Sequence, residues 1–285
     1  MSEITFKRKF YDEMLEWKKN SNGNSALMID GARRVGKSTI AEEFAKNEYD
    51  DYLLIDFVNA SKDIKDNFDN LGNMDVFFRN LFLFAGKGLK SNNSVIIFDE
   101  VQKFPRAREA IKYLVKDGRY HYIETGSLIS IKKKSQEIVI PSEEKKRKMY
   151  PMDFEEFLWA TGDNVTAPFI KDCFEKRIPM GDKLHRKIMT TFRTYFAIGG
   201  MPQVIEAFVQ GKNYQEIDMI KRNILSLYEE DLAKYDDENH EKATAIFKAI
   251  PEQLSNHNSK FKFSKIDENA RYRNYIYSVK CIAES

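Results

Sequence analysis

The sequence predicts an α/β fold in which a parallel sheet flanked by helices is followed by an all-helical region. From residue 26 to residue 127, short apolar runs alternate with segments of helical apolar spacing. This alternation is typical of parallel strands joined by crossover helices. After Pro151 the helical spacing continues, but no apolar run of comparable strength returns. The sheet is therefore expected to end near that residue.

The elements of the sheet region follow from local patterns in chain order. An amphipathic helix within residues 1–20 is ended by Asn22-Gly23-Asn24. Short apolar runs ended by polar or glycine residues predict strands, and apolar residues three or four positions apart predict helices. The predicted strands are 26–29, 52–56, 95–98 and 121–125, and the predicted helices are 37–47, 62–70, 74–85 and 107–115.

Basic residues accumulate where the alternation stops, at Lys132–Lys134 and again at Lys145–Lys148. We interpret residues 132–148 as a solvated loop or hairpin; the alternative is a patch for nucleic acid or an acidic partner. A last core strand is predicted at 148–152, and a domain boundary near 150–162. Further helices are predicted at 154–160, 169–176, 184–198, 214–231, 243–254 and 270–281.

Composition and charge exclude several classes of protein. The 285 residues carry 46 Lys and Arg against 44 Asp and Glu, a net charge of +2, so any nucleic-acid contact is restricted to local patches. The aromatic content of 13% excludes a disordered chain. Two distant cysteines give no zinc-site spacing. Without a signal peptide or an apolar run near the ~18 residues of a membrane span, we expect a cytoplasmic protein with no membrane contact.

A phosphate-binding loop is predicted at residues 31–38. Their sequence, GARRVGKS, satisfies GxxxxGK[ST] in full, between a predicted strand and a helix that begins at the lysine. The glycines let backbone N–H groups converge on phosphate oxygens at the helix N-terminus. The predicted nucleotide-binding residues are Gly31, Ala32, Arg33, Arg34, Val35, Gly36, Lys37, Ser38 and Thr39.

Individual side chains of this loop have separate expected roles. Lys37 is expected to place its charge on the β- and γ-phosphates of ATP, and Ser38 to bind Mg²⁺ through its hydroxyl. Thr39 is expected to face the α-phosphate. For Arg33 and Arg34 two interpretations stay open: contact with the nucleotide or a partner, or exposure to solvent.

Asp99 and Glu100 end the most apolar predicted strand and form a candidate Walker B pair. Carboxylates at this position lie at the carboxyl edge of a parallel sheet, where ligands bind. Asp99 is expected to hold Mg²⁺ and Glu100 to orient the attacking water. The alternative is an acidic pair that caps a helix. No guanine-recognition motif was found, so ATP hydrolysis is favoured, and the strand at 52–56, between the two motifs in sequence, suits the additional-strand class of P-loop ATPases.

Two further catalytic candidates lie near the ends of later predicted strands. Thr125, with Ser127 nearby, is expected to act as a sensor between the γ-phosphate and water, unless these residues only cap a turn. Arg147, just before the last predicted strand, is a candidate arginine finger of the kind that a neighbouring subunit often supplies. Three other arginines compete with it: Arg106, Arg108 and Arg119.

Together these motifs resemble prokaryotic P-loop ATPases of the AAA superfamily whose C-terminal region is a domain of unknown function. The resemblance is carried by GARRVGKS, IIFDEVQKFPRAREAIKYLVKDGRY, ETGS, YPMDFEEFLWA and YFAIGGMPQVI. Of these, PMDFEEFL and GGMP are the most particular to the group. The resemblance implies bound ATP and Mg²⁺ and an AAA-like core. It assigns no role to GGMP, which we interpret as a tight structural turn.

The resemblance also implies a division of the chain into three parts. These are an ATPase core with its N-terminal helix at 1–160, a helical region at 161–240 and a partial winged-helix-like unit at 241–285. Similar proteins run on further, so we expect a shortened member. The expected function is a Mg²⁺-dependent ATP hydrolase that acts as a conformational switch, with a DNA or protein partner and a homo-oligomeric state left open. The alternatives are an ATP-binding module with negligible turnover and, third, a P-loop kinase.

Overall fold

The computed structural model describes residues 5–90, 93–127, 141–235, 240–255, 260–267 and 271–283. The strands are β1 (Ala26–Gly31), β2 (Asp51–Asp56), β3 (Ser94–Asp99), β4 (His121–Gly126) and β5 (Glu144–Met149). The helices of the first part are α1 (Phe10–Ser21), α2 (Lys37–Glu48), α3 (Lys62–Asp66), α4 (Met74–Ala85) and α5 (Pro105–Asp117). Those of the second part are α6 (Phe154–Ala160), α7 (Thr166–Lys176), α8 (Asp182–Ile198), α9 (Pro202–Val209), α10 (Tyr214–Tyr235), α11 (His240–Ser255) and α12 (Tyr272–Ala283).

The five strands form one parallel sheet in the order β2-β3-β4-β1-β5. This confirms the predicted parallel α/β core. In the sheet β4 lies between β1 and β3, whereas β2, the strand that lies between the two motifs in sequence, is at an edge. Sequence order does not fix spatial order here, because each parallel strand needs a crossover that can skip a neighbour.

The sheet is buried between two apolar layers. On one face, Phe98 of β3 packs in an aromatic cluster with Phe57, Phe68 and Phe77, within a layer that includes α3, α4 and α5. On the other face, α1 and α2 cover the aliphatic side chains of β1, β3 and β4. A third cluster around Phe157 joins α6, α8, α9 and α10. These four helices thus share an apolar cluster that is separate from the two layers on the sheet.

The last strand corrects the sequence-based prediction of 148–152. The structure places it at Glu144–Met149, paired with β1 from Ala26↔Glu144 to Gly31↔Met149. A strand with four consecutive basic residues cannot be recognised from apolar residues. Such a strand is possible here because it lies at a sheet edge, where exposed lysines are common. The earlier basic run, Lys132–Lys134, lies outside the described residues.

Two features of the second part differ from the predicted elements or extend them. The GGMP turn at 199–202 leads directly into α9, a helix that the sequence analysis did not predict. In the described parts of 241–285, the structure has α11, a 3₁₀ turn at Phe263–Lys265 and α12. The winged-helix assignment of this unit stays a prediction. Among the described residues, no helix has the length and apolar character needed to cross a membrane.

Candidate functional site

A cavity of about 500 Å³ lies beside the loop that joins β1 to α2. Its walls come from distant parts of the chain: the segment before α1, the loop and first turns of α2, the residue after β3, and the start of α9. The lining residues are Thr5, Phe6, Arg8, Arg33, Arg34, Gly36, Lys37, Ser38, Thr39, Ile40, Glu43, Glu100, Pro202, Gln203 and Glu206.

The β1–α2 loop has the backbone conformation that its glycines permit. Gly36 at the N-cap of α2 has φ 96°, a left-handed value that a side chain rarely adopts. At Gly31 a Cβ would lie 2.3 Å from the carbonyl oxygen of Met149, so β5 approaches too closely for any side chain. The loop therefore curls around the N-terminus of α2, where backbone N–H groups favour an anion.

Lys37 is buried within this loop, with 5% of its surface exposed. Its ammonium group donates hydrogen bonds to the carbonyl oxygens of Gly31 at 3.0 Å and Ala32 at 2.9 Å. Burial lowers the pKa of Lys37, and the negative charges of Glu100, then of Asp30 and Asp99, act in the opposite direction. The positive charge is thus held at the place where phosphate oxygens would carry the compensating charge.

Three side chains converge at the carboxyl ends of β3 and β4. The Ser38 hydroxyl donates to Oδ1 of Asp99 at 2.7 Å, and the Thr125 hydroxyl donates to the same oxygen. The backbone N–H of Glu100 donates to the Thr125 hydroxyl oxygen at 3.2 Å. A hydroxyl and a carboxylate oxygen side by side are hard oxygen ligands of the kind that Mg²⁺ accepts, so this donor set fits the cation.

Glu100 lines the cavity directly after this convergence. Its backbone is left-handed, with φ 57°, and begins a 3₁₀ turn at Val101–Lys103. Burial raises the pKa of the Glu100 carboxyl, the Lys37 charge lowers it and the Asp99 charge raises it. A carboxylate of raised basicity facing the cavity is suited to accept a proton from water.

The segment before α1 is fixed to the loop by Arg8. Its guanidinium donates to the carbonyl oxygens of Val35 at 2.8 Å and Tyr150 at 2.6 Å, and pairs with the Glu156 carboxylate at 3.1 Å. Glu156 belongs to the PMDFEEFL motif, where it also forms a capping box with Asp153. Sequence reasoning missed Arg8; the capping-box spacing, Asp-x-x-Glu, was the available signal for Glu156.

The GGMP turn contacts the same motif. The N–H of Met152 donates to the carbonyl oxygen of Gly200 at 2.7 Å, and a Cβ on Gly200 would lie 2.2 Å from the carbonyl oxygen of Met152. This contact aims the start of α9 at the cavity, where Pro202, Gln203 and Glu206 form part of the wall. The turn was interpreted from the sequence as only structural, and its cavity-lining residues were missed.

A third contact joins α10 to the loop. The Asp231 carboxylate pairs with the Arg33 guanidinium at 3.1 Å, and the Tyr228 hydroxyl donates to the carbonyl oxygen of Arg33 at 2.8 Å. Arg33 also lines the cavity. The helical region is therefore bonded directly to the loop around the cavity.

The structure brings together most of the residues singled out from the sequence. Of the loop residues, Arg33, Arg34, Gly36, Lys37, Ser38 and Thr39 line the cavity with Glu100. Asp99 and Thr125 lie next to it through their bonds to Ser38 and Glu100.

The candidate arginine finger lies elsewhere. Arg147 is inside β5, half exposed, with its guanidinium 3.9 Å from the Glu13 carboxylate, and it does not line the cavity of its own chain. Of the three competing arginines, Arg106 pairs with Asp69 and Arg108 pairs with Glu144. Arg119 pairs with both Asp75 and Asp117. A finger role in a second copy stays a prediction.

Comparison with known proteins gives two family matches. Residues 23–158 match an AAA domain, and residues 189–282 match a domain of unknown function (DUF8612). No curated protein matches the chain.

Among solved structures the chain is similar to a signal-transduction ATPase with numerous domains and a tetratricopeptide-repeat sensor, from Pyrococcus horikoshii. The identity is 12% and the TM-score 0.40, over 98% of this chain and 39% of that one. It is also similar to a DNA replication initiation factor, with 12% identity and a TM-score of 0.39 over 96% of this chain and 87% of that one. The chain thus spans well under half of the first of these proteins.

Proposed function

We propose that this chain, a P-loop protein of the AAA type with a C-terminal domain of unknown function, binds ATP with Mg²⁺ and hydrolyses it. The observation that carries the proposal is that Lys37, Ser38 and Glu100 line one cavity, with Asp99 bonded to Ser38 directly beside it. These four side chains supply a cation for phosphate, oxygen ligands for Mg²⁺ and a base for water. A protein that only binds the nucleotide would need Lys37, Ser38 and Asp99 but not the base, Glu100.

Each residue has a defined part in the proposed reaction. The Lys37 ammonium neutralises charge on the β- and γ-phosphates, and the loop N–H groups orient the same oxygens. Ser38 and Asp99 would hold Mg²⁺, which supplies charge neutralisation when bound. Glu100 orients the attacking water and takes its proton, and Thr125 fixes Asp99 and the backbone of Glu100.

The rest of the cavity is suited to a nucleobase and ribose. Phe6, Ile40 and Pro202 are apolar, whereas Gln203 and Glu206 carry hydrogen-bonding groups. A purine has apolar faces and a polar edge, and such sites combine an apolar lining with a few polar groups. We place the base between the segment before α1 and the start of α9.

The proposed conformational switch runs through Arg33. This side chain lines the cavity and also pairs with Asp231 of α10. A γ-phosphate would compete with Asp231 for the guanidinium, because both are anionic oxygen acceptors. Hydrolysis would return Arg33 to Asp231, so the position of α10 would follow the state of the nucleotide.

Phosphate release tests the proposed hydrolysis. Wild type is expected to release phosphate from Mg-ATP, and Glu100→Gln to bind ATP but release phosphate roughly 100-fold more slowly, as expected for loss of a general base. Glu175→Gln, the same change at an exposed position of α7, is the matched control. Lys37→Ala is expected to lose nucleotide binding.

Other outcomes identify the alternatives. If wild type and Glu100→Gln are equally silent while both bind ATP, the chain is a binding module. Transfer of labelled γ-phosphate to an acceptor instead of water indicates a kinase.

The proposal of a DNA partner rests on the basic edge strand. Lys145 and Arg147 of β5 are exposed, but the Lys146 ammonium is paired with the buried Asp30 carboxylate at 2.8 Å. Binding through phosphate contacts must weaken steeply with salt. A mobility shift that is independent of salt would contradict this proposal. A homo-oligomer that brings Arg147 to a neighbour's cavity is tested by light scattering with and without Mg-ATP.

A further inference from the structure

We propose that Gln102 is a positioning residue that holds the Glu100 carboxylate toward the cavity, with Ser127 as its second partner. The inference deepens the proposed hydrolysis and rests on it. It concerns the geometry of Glu100, which exists whether or not nucleotide is turned over.

The backbone after β3 returns Gln102 to Glu100. The left-handed conformation of Glu100 starts the 3₁₀ turn at Val101–Lys103, and the Gln102 carboxamide thereby lies beside the side chain two residues earlier. Its nitrogen donates to Oε2 of Glu100 and lies 3.4 Å from the Ser127 hydroxyl oxygen. A carboxamide nitrogen has two N–H donors, so it can serve both acceptors at once.

Burial makes this contact specific. Gln102 is only 5% exposed, and its own carbonyl oxygen has no hydrogen-bond partner among the described residues. An unpaired buried acceptor costs free energy, so the carbonyl oxygen does not explain why the Gln102 side chain is buried here. The hydrogen bonds of its nitrogen do.

The contact leaves one face of the Glu100 carboxylate available. Gln102 occupies Oε2 and does not itself line the cavity, whereas Glu100 does. Oε1 is then the oxygen left to accept a hydrogen bond from water. Since a general base acts only from a fixed distance and direction, restraining the carboxylate lowers the cost of reaching the reactive geometry.

Ser127 ties this restraint to β4. It follows the strand that carries Thr125, and Thr125 bonds both Asp99 and the N–H of Glu100. Glu100 is thus held at its backbone by Thr125 and at its side chain by Gln102. The two supports come from the ends of adjacent strands, which makes the restraint rigid.

The first test is steady-state kinetics on the full chain. Gln102→Met keeps the length of the side chain and removes the donor, and Ser127→Ala removes the second partner. For Gln102→Met we expect kcat to fall about tenfold with KM for ATP and affinity for ADP within about twofold, since only positioning of the base is lost. Ser127→Ala should lower kcat by a smaller factor. Gln215→Met, the same change at an exposed position of α10, should match wild type.

The second test is independent of turnover. In protein labelled with ¹⁵N-glutamine and free of nucleotide, the side-chain amide signal of Gln102 is identified by its loss in Gln102→Met. Its N–H resonance should move upfield in Glu100→Gln, because a bond to a charged acceptor is replaced by a weaker one. An unchanged signal overturns the inference.

The two tests separate this inference from the proposed function. If neither the wild type nor any variant releases phosphate, the hydrolysis proposal fails. The amide signal still tests whether Gln102 donates a hydrogen bond to Glu100. If wild type turns over and Gln102→Met keeps its kcat within about twofold, the positioning role is overturned and the hydrolysis proposal stands.

Discussion

Glu124 carries a carboxyl group buried completely within β4, and neither of its carboxylate oxygens has a hydrogen-bond partner among the described residues. It faces the Arg108–Glu144 pair, whose two N–H···O bonds are both 2.7 Å. Burial, and then the Glu144 charge, raise the pKa of Glu124 well above its ordinary value, and Arg108 acts in the opposite direction. The neutral acid is therefore favoured in the folded protein.

We predict that Glu124→Gln stabilises the protein increasingly as pH rises. Because the folded pKa exceeds the unfolded one, the unfolded state loses its proton first, and wild type loses stability above about pH 4.5. The variant lacks this loss, so its advantage should grow with pH by at most about 1.4 kcal/mol per pH unit, the linkage of one proton. Urea unfolding at about pH 5 and pH 8 measures it. Glu109→Gln, an exposed change on α5, should show no such trend.

Gly200 shows a different constraint at the residue scale. The backbone of Met152 approaches so closely that a Cβ would lie 2.2 Å from its carbonyl oxygen. We predict that Gly200→Ala destabilises the protein by about 1–3 kcal/mol, the usual range for forced overpacking. It should also weaken nucleotide binding, because the start of α9 is displaced. Gly72→Ala, where a Cβ meets nothing within 4 Å, is the control for thermal unfolding. Equal midpoints for the two variants would contradict the argument.

At the scale of elements, α6 connects the two parts of the molecule. Its capping box places Glu156 where one carboxylate caps the helix, accepts the N–H of Lys9 at 2.7 Å and pairs with Arg8. The buried pair then fixes the segment before α1 against the loop. One helix terminus thereby determines the position of a cavity wall.

We predict that Glu156→Gln destabilises the protein by about 3–5 kcal/mol, because it leaves the buried Arg8 charge without its anion. Glu155→Gln alters a partly exposed carboxylate of the same turn and should cost less than about 1 kcal/mol. Chemical denaturation of both variants gives the comparison. Similar losses in the two would show that Arg8 finds another partner.

Helix α10 carries the second link. Asp231 of this helix pairs with Arg33, and the two side chains are 17% and 41% exposed. Because the pair is partly exposed, it contributes less than about 1 kcal/mol to the free energy of unfolding. We predict that Asp231→Asn leaves the unfolding midpoint almost unchanged but speeds amide hydrogen exchange in α10. Asp218→Asn, which breaks an exposed pair with Arg222 in the same helix, should not change exchange near Tyr228. Unaltered exchange in Asp231→Asn would remove Arg33 as the link.

At the scale of the whole molecule, the cavity is shared by the sheet region and the helical region. Lys37 and Glu100 come from one, and Pro202 and Glu206 from the other. A ligand bound there contacts both and must stabilise both, since binding to the folded state alone shifts the unfolding equilibrium.

We predict that Mg-ADP raises the unfolding midpoint equally at the two tryptophans. Trp17 reports on α1 and Trp159 on α6, so Trp17→Phe and Trp159→Phe give single-probe proteins. At a free nucleotide concentration of about 100 times the dissociation constant, the free energy of unfolding should rise by roughly 2.7 kcal/mol at both probes. Lys37→Ala in either background should show no shift. A shift at Trp17 alone would mean that the helical region does not take part in binding.

The amount that the sequence predicted differs between elements for physical reasons. The strands at Ala26–Gly31 and Ser94–Asp99 were predicted because both are buried on every residue, and such strands are continuous apolar runs. Strand β5 was misplaced because it lies at a sheet edge and all its residues except Met149 are exposed or half-buried, so it carries no apolar signal. Helix α9 was missed because it is short and follows a glycine turn.

The sequence by itself determined the local chemistry: the curled loop before Lys37, the acidic pair after the apolar strand and the parallel α/β class. These features depend on residues that are close together in the chain, so their spacing can be read directly from the sequence. Only the tertiary structure decided that β4 lies between β1 and β3, that Gly200 meets Met152, and that Arg8 and Asp231 reach the loop. Those contacts join residues far apart in sequence, and they form only when the layers pack.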